Sequence, residues 1–316
     1  MQPLTKVTEI SRIGYGFMAS KVLFAALDLD LFTHLAAGPK SLANLTGESG
    51  IAENRLLTLL TACVSLGLLV KNESGYANAP ASQTYPVQGS PACYADYFRY
   101  QTDQQIYPSF QDLNAALRGA PTQRFYALTE DDARSEQFSR AQHAGSLGPA
   151  QLFAKRHDLS DVKCLLDVAG GSGAFSLAVC KRNPGLQATI LDFQNMIRVA
   201  GRYASEAGLP DRISMLSGNA FEIEWPRNRD AVLISYLMYC VDGDLIPDLM
   251  RRAYNALRPG GRLFVHDFMV EDDASGPPLA ALWLVSSLLA DPDAVLLTPA
   301  TLSPKFLQAP REFDLA

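Results

Sequence analysis

Residues 162–267 alternate between short apolar segments and longer segments whose apolar residues have a helical spacing. The short segments have the length of buried strands, and the segments between them have the length of helices. Strands that alternate with helices form a parallel sheet covered by helices on both faces. The predicted strands are 164–168, 188–193, 213–216, 231–235 and 262–267, and the predicted helices are 174–182, 195–207 and 246–257, the last ended by Pro259-Gly260-Gly261. The pattern predicts a doubly wound, Rossmann-like α/β domain.

The residues before about 80 predict a separate helical unit. Segments 10–32 and 52–66 have helical spacing, Ser41 is suited to cap a short helix between them, and Gly67 is suited to end the second segment. An apolar strand, a polar turn and a return strand follow in residues 67–76 and predict a small hairpin. Helices followed by a hairpin favour a winged-helix domain. We place this domain with its linker at 1–105 and the α/β domain at 106–316.

Charge limits the partners of this unit. The chain of 316 residues has a net charge of -6, and residues 1–110 contain seven Lys or Arg against eight Asp or Glu. A winged helix that reads DNA requires a basic face, so the balance disfavours nucleic acid as a partner. We expect the apolar surface of this unit to meet a second subunit, which predicts a homodimer.

Membrane and metal partners are not indicated either. The apolar stretches 56–70 and 274–290 are shorter than the roughly 20 residues that span a bilayer, and the first residues do not have the pattern of a signal peptide. The five cysteines are an odd number, widely spaced and without a C-x-x-C pair, which is typical of reduced thiols rather than of disulfides or zinc ligands. The expectation is a cytoplasmic protein that acts on a small molecule.

A glycine-rich turn follows the first strand of the α/β domain and opens a helix. Glycines allow a ligand to approach the backbone closely, and a helix N-terminus offers free N–H groups. Asp167 precedes the glycines, Asp192 ends the next strand where a carboxylate can bind ribose hydroxyls, and the dinucleotide pattern fails at Ser176. An acid before the loop suits a ligand with an ammonium group, such as S-adenosylmethionine. A dinucleotide site and a purely structural loop are the alternatives.

With these motifs the chain resembles the S-adenosylmethionine-dependent O-methyltransferases of secondary metabolism, which join a winged-helix dimerisation domain to a class I methyltransferase domain. The resemblance covers about residues 10–300. Its most specific segments are 167–173, Ile190-Leu191-Asp192-Phe193, Gly218-Asn219-Ala220-Phe221 and residues 256–262.

The resemblance implies roles for particular residues. Asp167, Gly170, Gly171 and Gly173 would hold the methionine end of the cofactor, and Asp192 would hold the ribose. Asn219 stands where the family usually has an aspartate facing the adenine amine, and its amide oxygen can accept the same hydrogen bond. The remaining implied cofactor residues are Ala220, Phe221 and Ser235, and the implied substrate residues are Gln142, His143 and Trp283, with segment 280–284 along the apolar substrate side.

The sequence departs from the family at the general base. Where the family has a His-Asp-Trp run, this chain has Tyr239-Cys240-Val241. The family's carboxylate lies 28 residues further on, which is Asp267 here, beside His266. We therefore take Tyr239, His266 and Asp267 as the candidate catalytic residues. Three explanations are open: His266 or His143 replaces the base, the acceptor is already acidic, or the nucleophile is carbon.

The second departure is at the C-terminal end, where residues after 298 contain three prolines and no alternation typical of a strand. The family closes its sheet with a further helix and a pair of strands, so we expect a shortened sheet with an uncovered edge. The main hypothesis is O-methylation of a small hydroxylated aromatic metabolite. The alternatives are C-methylation of a pigment-like ring, cofactor binding without methyl transfer, and a winged-helix regulator.

Overall fold

The computed structural model describes residues 2–120, 132–290 and 294–306, and the chain forms two compact units, Met1–Gln104 and Gln105–Ala316. In the first unit the described elements are the helices α1 (Val7–Gly14), α2 (Gly16–Asp28), α3 (Leu31–His34), α4 (Leu42–Ser49), α5 (Glu53–Ser65) and α6 (Pro80–Thr84) and the strands β1 (Leu69–Asn72) and β2 (Gly75–Asn78).

The predicted helix over 10–32 is interrupted twice, at Tyr15 and at Asp30, whose φ of 49° is left-handed and cannot continue a helix. Ser41 caps α4 as predicted, with its hydroxyl accepting the Asn44 N–H at 3.2 Å. The predicted hairpin is present as β1 and β2. Gly75 is required there because a Cβ would lie 2.2 Å from the Lys40 carbonyl oxygen.

The core of the first unit is built from α2, α3, α5 and the hairpin, and residues such as Leu27, Phe32, Leu56 and Leu69 are almost completely buried. In contrast, α1 and the start of α2 expose apolar side chains. The segment Val7–Asp28 contains an 18-residue stretch with a mean hydropathy of 1.2, of which 17% is buried, and the segment is long and apolar enough to cross a membrane by length and composition. The sequence analysis predicted a helix here but did not consider it as a membrane span.

A π-helical segment, Tyr97–Ile106, contains the boundary between the units. The described elements that follow are the helices α7 (Tyr107–Ser109), α8 (Leu113–Ala116), α9 (Asp132–Arg156), α10 (Ala174–Arg182), α11 (Gln194–Glu206), α12 (Ile246–Ala256), α13 (Pro278–Ala290) and α14 (Pro299–Phe306) and the strands β3 (Cys164–Val168), β4 (Gln187–Asp192), β5 (Ile213–Ser217), β6 (Arg229–Ser235) and β7 (Leu257–His266). Three short 3-10 turns lie at Phe110–Asp112, Met238–Cys240 and Gly243–Leu245.

The five strands β3–β7 form one parallel sheet in the order β5-β4-β3-β6-β7, which confirms the predicted doubly wound α/β class. One prediction was wrong in detail. The helix α12 ends at Ala256, before Pro259-Gly260-Gly261 as predicted, but the last strand starts earlier than predicted: β7 begins at Leu257 and includes these three residues. The register with β6 shifts there, between Arg229 and Ala231. A Cβ on Gly261 would lie 3.0 Å from the Arg229 carbonyl oxygen, so glycine permits this irregular pairing.

Apolar residues cover both faces of the sheet. On one face α9, α10 and α11 pack against it through residues such as Phe153 and Phe175. On the other face α12, α14 and Trp225 form a second core. Within the described residues 267–290 and 294–306 no strand follows β7, and the shortened sheet stays a prediction. The carboxyl ends of the five strands therefore meet at one edge, where α/β proteins bind ligands.

Candidate functional site

The turn after β3 depends on its glycines. Ala169, Gly171 and Gly173 all have positive φ, at 53°, 55° and 76°. A Cβ on Gly173 would lie 2.6 Å from Ile190 Cδ1, and the Gly173 N–H donates to the Gly170 carbonyl at 2.8 Å. The turn then delivers the chain into α10, whose first N–H groups lie at the edge of the sheet. This geometry provides a backbone surface for a ligand rather than a side-chain one.

Asp167 lies underneath this turn. Its side chain is completely buried, its Oδ2 accepts the Ser176 hydroxyl at 2.6 Å, and its Oδ1 has no hydrogen-bond partner among the described residues. Burial, with a smaller contribution from the charge of Asp192, raises the pKa of Asp167 to about 7. A Cβ on Gly170 would lie 2.7 Å from Asp167 Cγ. Asp167 therefore supports the loop from below instead of lining a cavity, and its unpaired oxygen favours a cationic ligand nearby.

Asp192 ends β4 next to the glycine turn. Its Oδ2 accepts the Gly171 N–H at 2.8 Å and its Oδ1 accepts the Phe193 N–H at 2.7 Å. Burial raises the pKa of Asp192 to about 6, and the two N–H bonds oppose this increase. Each carboxylate oxygen has a further lone pair, so Asp192 can still accept ligand hydroxyls.

Two adjoining cavities open at the carboxyl edge of the sheet. The first, which we name the loop cavity, has a volume of about 250 Å³ and lies between the glycine turn, α9 and the end of β6. The second, the large cavity, has a volume of about 480 Å³ and extends from β4 to α13. The lining residues that they share are Ala169, Asp192, Phe193, Leu237, Tyr239 and Cys240. The large cavity alone has the size of a small-molecule site, and the loop cavity adds a smaller space beside it.

The predicted adenine residues line the large cavity. Asn219, Ala220 and Phe221 line it, as do Ser287 and Ala290 of α13. The Asn219 side chain is engaged: its Oδ1 accepts the Phe221 N–H at 3.0 Å and its Nδ2 donates to Glu222 at 2.9 Å. The amide oxygen keeps one lone pair for a ligand.

At the end of β6, Ser235 lines the loop cavity as predicted, together with Tyr236, which the sequence analysis missed. Tyr236 has a left-handed backbone with φ of 53°, and its hydroxyl lies 3.2 Å from His266 Nε2. The signal that was available is its position directly after a central strand, where ligand-binding residues collect.

Of the three candidate catalytic residues, only Tyr239 lines a cavity in the part of the chain that the structure describes, and it lines both. Asp267 does not orient a side chain at position 239. Its Oδ2 accepts the backbone N–H groups of Met238 at 2.8 Å and Tyr239 at 3.3 Å, and its Oδ1 accepts that of Phe268 at 2.8 Å. Burial raises the pKa of Asp267 to about 7 in spite of these bonds. Asp267 thus holds the turn that carries Tyr239.

His266 is packed among aromatic rings behind the loop cavity, with ring centroids 5.1 Å from Phe175 and 5.0 Å from Tyr236. Burial, and secondly the nearby His157, lower the pKa of His266 to about 4. The imidazole is therefore neutral at physiological pH, and it reaches the cavity only through Tyr236.

The two predicted substrate residues of α9 point in different directions. Gln142 lines the loop cavity. His143 stacks on Tyr203 at 3.9 Å and its Nδ1 lies 2.9 Å from the Ser172 hydroxyl, while burial lowers its pKa to about 4. His143 is among the lining residues of neither cavity in the described structure, so its position supports a role in holding the glycine turn instead of substrate contact.

Trp283 lies one layer behind the cavities. Its ring stacks on Phe268 with centroids 4.4 Å apart, and Tyr239 meets both rings edge-on, at 6.0 Å and 6.5 Å. In the segment 280–284, Ala280 is buried and Leu282 is 62% exposed, and its place along the substrate side stays a prediction. From α13 it is Ser287 and Ala290 that line the large cavity.

These features fit S-adenosylmethionine. The turn at Gly170 and Gly171 has no side chain to block a ligand, the unpaired Asp167 oxygen suits a site for a cation, and Asp192 borders both cavities. A parallel sheet with such a turn defines the class of nucleotide-cofactor α/β enzymes.

Comparisons with known proteins identify the family. The model of the O-methyltransferase domain matches residues 96–293, and that of the O-methyltransferase dimerisation domain matches residues 12–88. The chain belongs to the S-adenosylmethionine-dependent O-methyltransferases.

Three relatives illustrate the family. The 3-hydroxy-5-methyl-1-naphthoate 3-O-methyltransferase of Streptomyces sahachiroi is 30% identical over 287 residues, covering 89% of this chain and 83% of the relative. The bacteriochlorophyllide d C-20 methyltransferase of Chlorobaculum tepidum is 28% identical over 270 residues, covering 81% of this chain and 77% of the relative. The structure of human N-acetylserotonin methyltransferase in complex with S-adenosylmethionine superposes with a TM-score of 0.84 at 25% identity, covering 96% of this chain and 93% of that one.

Proposed function

We propose that this protein transfers the methyl group of S-adenosylmethionine to a hydroxyl group of a small, flat aromatic metabolite. The observation that carries this proposal is the composition of the loop cavity, where Phe138, Phe175, Tyr236 and Tyr239 line the space directly beside the glycine turn. Aromatic walls favour a flat apolar acceptor, because ring faces and edges pack well against another ring. A naphthoate hydroxyl is the acceptor of one relative, which supports the same chemical class.

The cofactor would occupy the two adjoining cavities. Gly170, Gly171 and Gly173 would shape the surface for its methionine end, with Asp167 beneath them. Asp192 would accept the ribose hydroxyls, and Asn219, Ala220 and Phe221 would surround the adenine in the large cavity. Ser235 would lie under the cofactor at the end of β6. When bound, S-adenosylmethionine supplies a methyl group on a positively charged sulfur.

The contribution of the chain is mainly positioning. Helix α9 covers the loop cavity with Ser135, Phe138, Gln142 and Ser146, and it is tied to the glycine turn through His143 and Ser172. Such a cover excludes water and holds an acceptor oxygen in line with the methyl group, and orientation of this kind accounts for a large part of the barrier lowering in bimolecular reactions. Gln142 offers an amide with which to orient the acceptor.

C-methylation is the second candidate function. One observation favours it: Tyr239 stands where the family has a base, and a tyrosine with a pKa near 10 is a weak base at neutral pH. A carbon nucleophile on an electron-rich ring needs no hydroxyl deprotonation before the methyl transfer. The C-20 methyltransferase among the relatives supports this alternative on the same scaffold.

We further propose that two copies of the chain form a cytoplasmic homodimer through the first unit. The apolar side chains of α1 and α2 that face solvent support this, with Val7 75%, Ile10 61%, Ile13 71% and Phe17 52% exposed. A contiguous apolar surface of this kind marks a protein interface more often than a free surface. The same surface accounts for the high hydropathy of Val7–Asp28 without a membrane. Ile13→Glu, compared with wild type by light scattering after gel filtration, is expected to shift the mass from two chains to one.

Calorimetric titration with S-adenosylmethionine and S-adenosylhomocysteine tests the cofactor site, and a methyl-labelled donor with 3-hydroxy-5-methyl-1-naphthoate and other hydroxylated arenes tests the transfer. Binding in the micromolar range with label on oxygen supports the proposal. Label on carbon favours the second candidate. Binding without transfer to any acceptor contradicts the proposed acceptor class, and absence of binding by folded protein contradicts the cofactor assignment.

A further inference from the structure

Tyr236 has a conformation that a bulky residue rarely adopts. Its φ of 53° is left-handed, which strains a bulky non-glycine residue, and strain of this kind clusters at functional sites. The conformation is held by the Tyr236 N–H, which donates to the His266 carbonyl at 2.8 Å. The end of β6 is thus built around one particular placement of this tyrosine.

The Tyr236 side chain is paired with a histidine that cannot easily become charged. The Tyr236 hydroxyl lies 3.2 Å from His266 Nε2, and the imidazole is enclosed by Phe153, Phe175 and the Tyr236 ring itself. The titratable group that faces His266 from the residue directly after α9 is His157, whose charge would disfavour an imidazolium further. A neutral imidazole has one nitrogen that accepts. With Nε2 as that acceptor, the phenol donates its proton to His266 and keeps its oxygen lone pairs for another donor.

Tyr236 lines the loop cavity together with Gly170, Gly171 and Gln142. Tyr239, which replaces the family's base, lies on the same wall, but its supporting carboxylate is occupied by backbone N–H groups. Tyr236 thus brings to the loop cavity a hydroxyl with a proton acceptor behind it, as Ser172 does with His143 at 2.9 Å.

We propose that Tyr236 is the catalytic residue that takes the proton of the acceptor hydroxyl, and that His266 is the positioning residue that acts through it. This rests on the proposed O-methyl transfer. In the step, the acceptor oxygen forms its bond to the methyl carbon as the carbon–sulfur bond breaks and its electron pair goes to sulfur. The acceptor proton passes to Tyr236 Oη, and the Tyr236 proton passes to His266 Nε2. The imidazolium then returns its proton to water.

A weak base is sufficient for this step. As the new oxygen–carbon bond forms, the acceptor oxygen becomes positively charged, and its proton becomes far more acidic than an imidazolium. Proton transfer that accompanies bond formation is therefore favourable even to a weakly basic imidazole, and it removes positive charge from the acceptor oxygen in the transition state. The low basicity of His266 has a second consequence. It keeps the imidazole neutral, and therefore able to accept a proton from Tyr236, throughout the physiological pH range.

The test compares Tyr236→Phe, His266→Gln and His266→Leu with Tyr254→Phe, a matched hydroxyl removal on α12 away from the cavities. The probe is 3-hydroxy-5-methyl-1-naphthoate with a methyl-labelled donor. At pH 7 we expect Tyr236→Phe to lower kcat about 100-fold, the typical size of general-base assistance, with the KM for S-adenosylmethionine unchanged. His266→Gln, which retains an acceptor, should lose less than His266→Leu.

The pH profile separates a proton-transfer role from a structural one. As pH approaches the pKa of the naphthol hydroxyl, near 10 for a phenol, the acceptor is already ionised and needs no base. The deficit of Tyr236→Phe should therefore shrink toward wild-type rates at high pH. A deficit that is constant with pH, or one that appears in Tyr239→Phe instead, overturns the proposal.

Two further measurements do not depend on turnover. Nitrogen NMR of labelled histidine should show His266 neutral, with an unprotonated Nε2 whose shift changes in Tyr236→Phe and not in Tyr254→Phe. Calorimetry of the naphthoate in the presence of S-adenosylhomocysteine should show three- to tenfold weaker binding to Tyr236→Phe, the loss of about one hydrogen bond. Two results contradict the proposed Tyr236–His266 pair even if the wild type transfers methyl groups. One is a protonated Nε2 of His266, and the other is naphthoate binding that is unchanged in Tyr236→Phe. No cofactor binding by wild type rejects the proposed function instead.

Discussion

The ends of β3 and β6 are neighbours in the sheet and begin in the same way. Val168 pairs with Ile234, and each strand is followed by a non-glycine residue in the left-handed region, Ala169 and Tyr236, both with φ of 53°. After β3 the chain continues with glycines and presents its backbone. After β6 it continues with tyrosines and a cysteine and presents side chains. A site made of backbone tolerates few sequences, whereas a site made of side chains can change its chemistry on an unchanged fold.

Buried carboxyl groups mark the same contrast. Asp167 at the β3 end leaves one oxygen without a partner among the described residues. Asp267 after β7 has both oxygens occupied by the backbone of the turn that follows β6 and by Phe268. The first carboxyl is arranged for a ligand charge and the second for the shape of a loop, although burial raises the pKa of each to about 7.

The largest effect is expected from Gly170→Ala. The new methyl would lie 2.7 Å from Cγ of Asp167, which is enclosed and cannot retreat, so the turn must shift. Overpacking of this kind costs about 1–3 kcal/mol, which corresponds to roughly 100-fold weaker binding of S-adenosylhomocysteine at the upper end. Calorimetry measures it, and Gly201→Ala on α11, where a Cβ meets Met215 only at 4.0 Å, is the control. Unchanged affinity in Gly170→Ala would show that the turn is not fixed by its backbone.

Asp267→Ala should affect stability at the β6 end. It leaves the N–H groups of Met238, Tyr239 and Phe268 without their acceptor, and we expect a loss of about 2 kcal/mol in the free energy of unfolding. Urea denaturation measures this loss. Asp273→Ala removes one exposed turn bond to Ser275 and should cost well under 1 kcal/mol. Equal losses in the two variants would mean that the turn after β6 is held by something other than Asp267.

Cofactor affinity should depend on pH through the β3 and β4 carboxyls. Burial raises the pKa values of Asp167 to about 7 and of Asp192 to about 6, so free protein carries them partly protonated near neutrality. A cationic ligand favours the ionised forms, so affinity for S-adenosylmethionine should rise about tenfold from pH 5.5 to 7.5, with protons released on binding. The same raised pKa values stabilise the unliganded fold at low pH, a contribution that is lost as pH rises through 6–7.

Calorimetry in buffers of different ionisation enthalpy measures the proton release. Asp192→Asn removes one of the two groups and should flatten the dependence. An affinity that is independent of pH in wild type would indicate that neither carboxyl senses the ligand charge.

The smallest effect is expected from Tyr239→His, which introduces the family's base. Because Asp267 is occupied by backbone N–H groups, the new imidazole has no carboxylate to orient it, and kcat should change by less than about threefold. Steady-state rates with a labelled donor measure the change. A rise of 100-fold, the size of full general-base assistance, would show that a histidine at position 239 can act as the base without Asp267 to orient it.

Much of the fold could be predicted because its signals are local. Strands such as β3 and β6 are short apolar runs, Ser41 and Gly67 mark helix ends, and the glycine turn carries its own constraint in φ. The family resemblance predicted the cofactor residues from the same backbone motifs, and that assignment stays a prediction. These features depend on neighbours within a few residues.

The parts that could not be predicted depend on distant contacts. The partners of Asp267 are backbone groups about 30 residues earlier, His266 is paired with Tyr236 through the register of two strands, and His143 contacts Ser172 across the helix layer. Pro259-Gly260-Gly261 reads as a helix stop, yet a register shift places it inside β7. The direction in which these side chains point cannot be predicted from the residues next to them in the sequence.

The strand order also has a consequence for the order of assembly. The helix α10 connects β3 to β4, and α11 connects β4 to β5. The strand β6 also pairs with β3, but α10, β4, α11 and β5 lie between these two strands in the sequence. Closing short loops costs less chain entropy than closing long ones, so β3, β4 and β5 are expected to pair before β6 and β7 dock. The glycine turn and Asp192 would then form early in folding, and the tyrosine wall late. We expect S-adenosylmethionine present during refolding to speed the docking of β6 and β7, because it can bind to the glycine turn and Asp192 before these strands are in place.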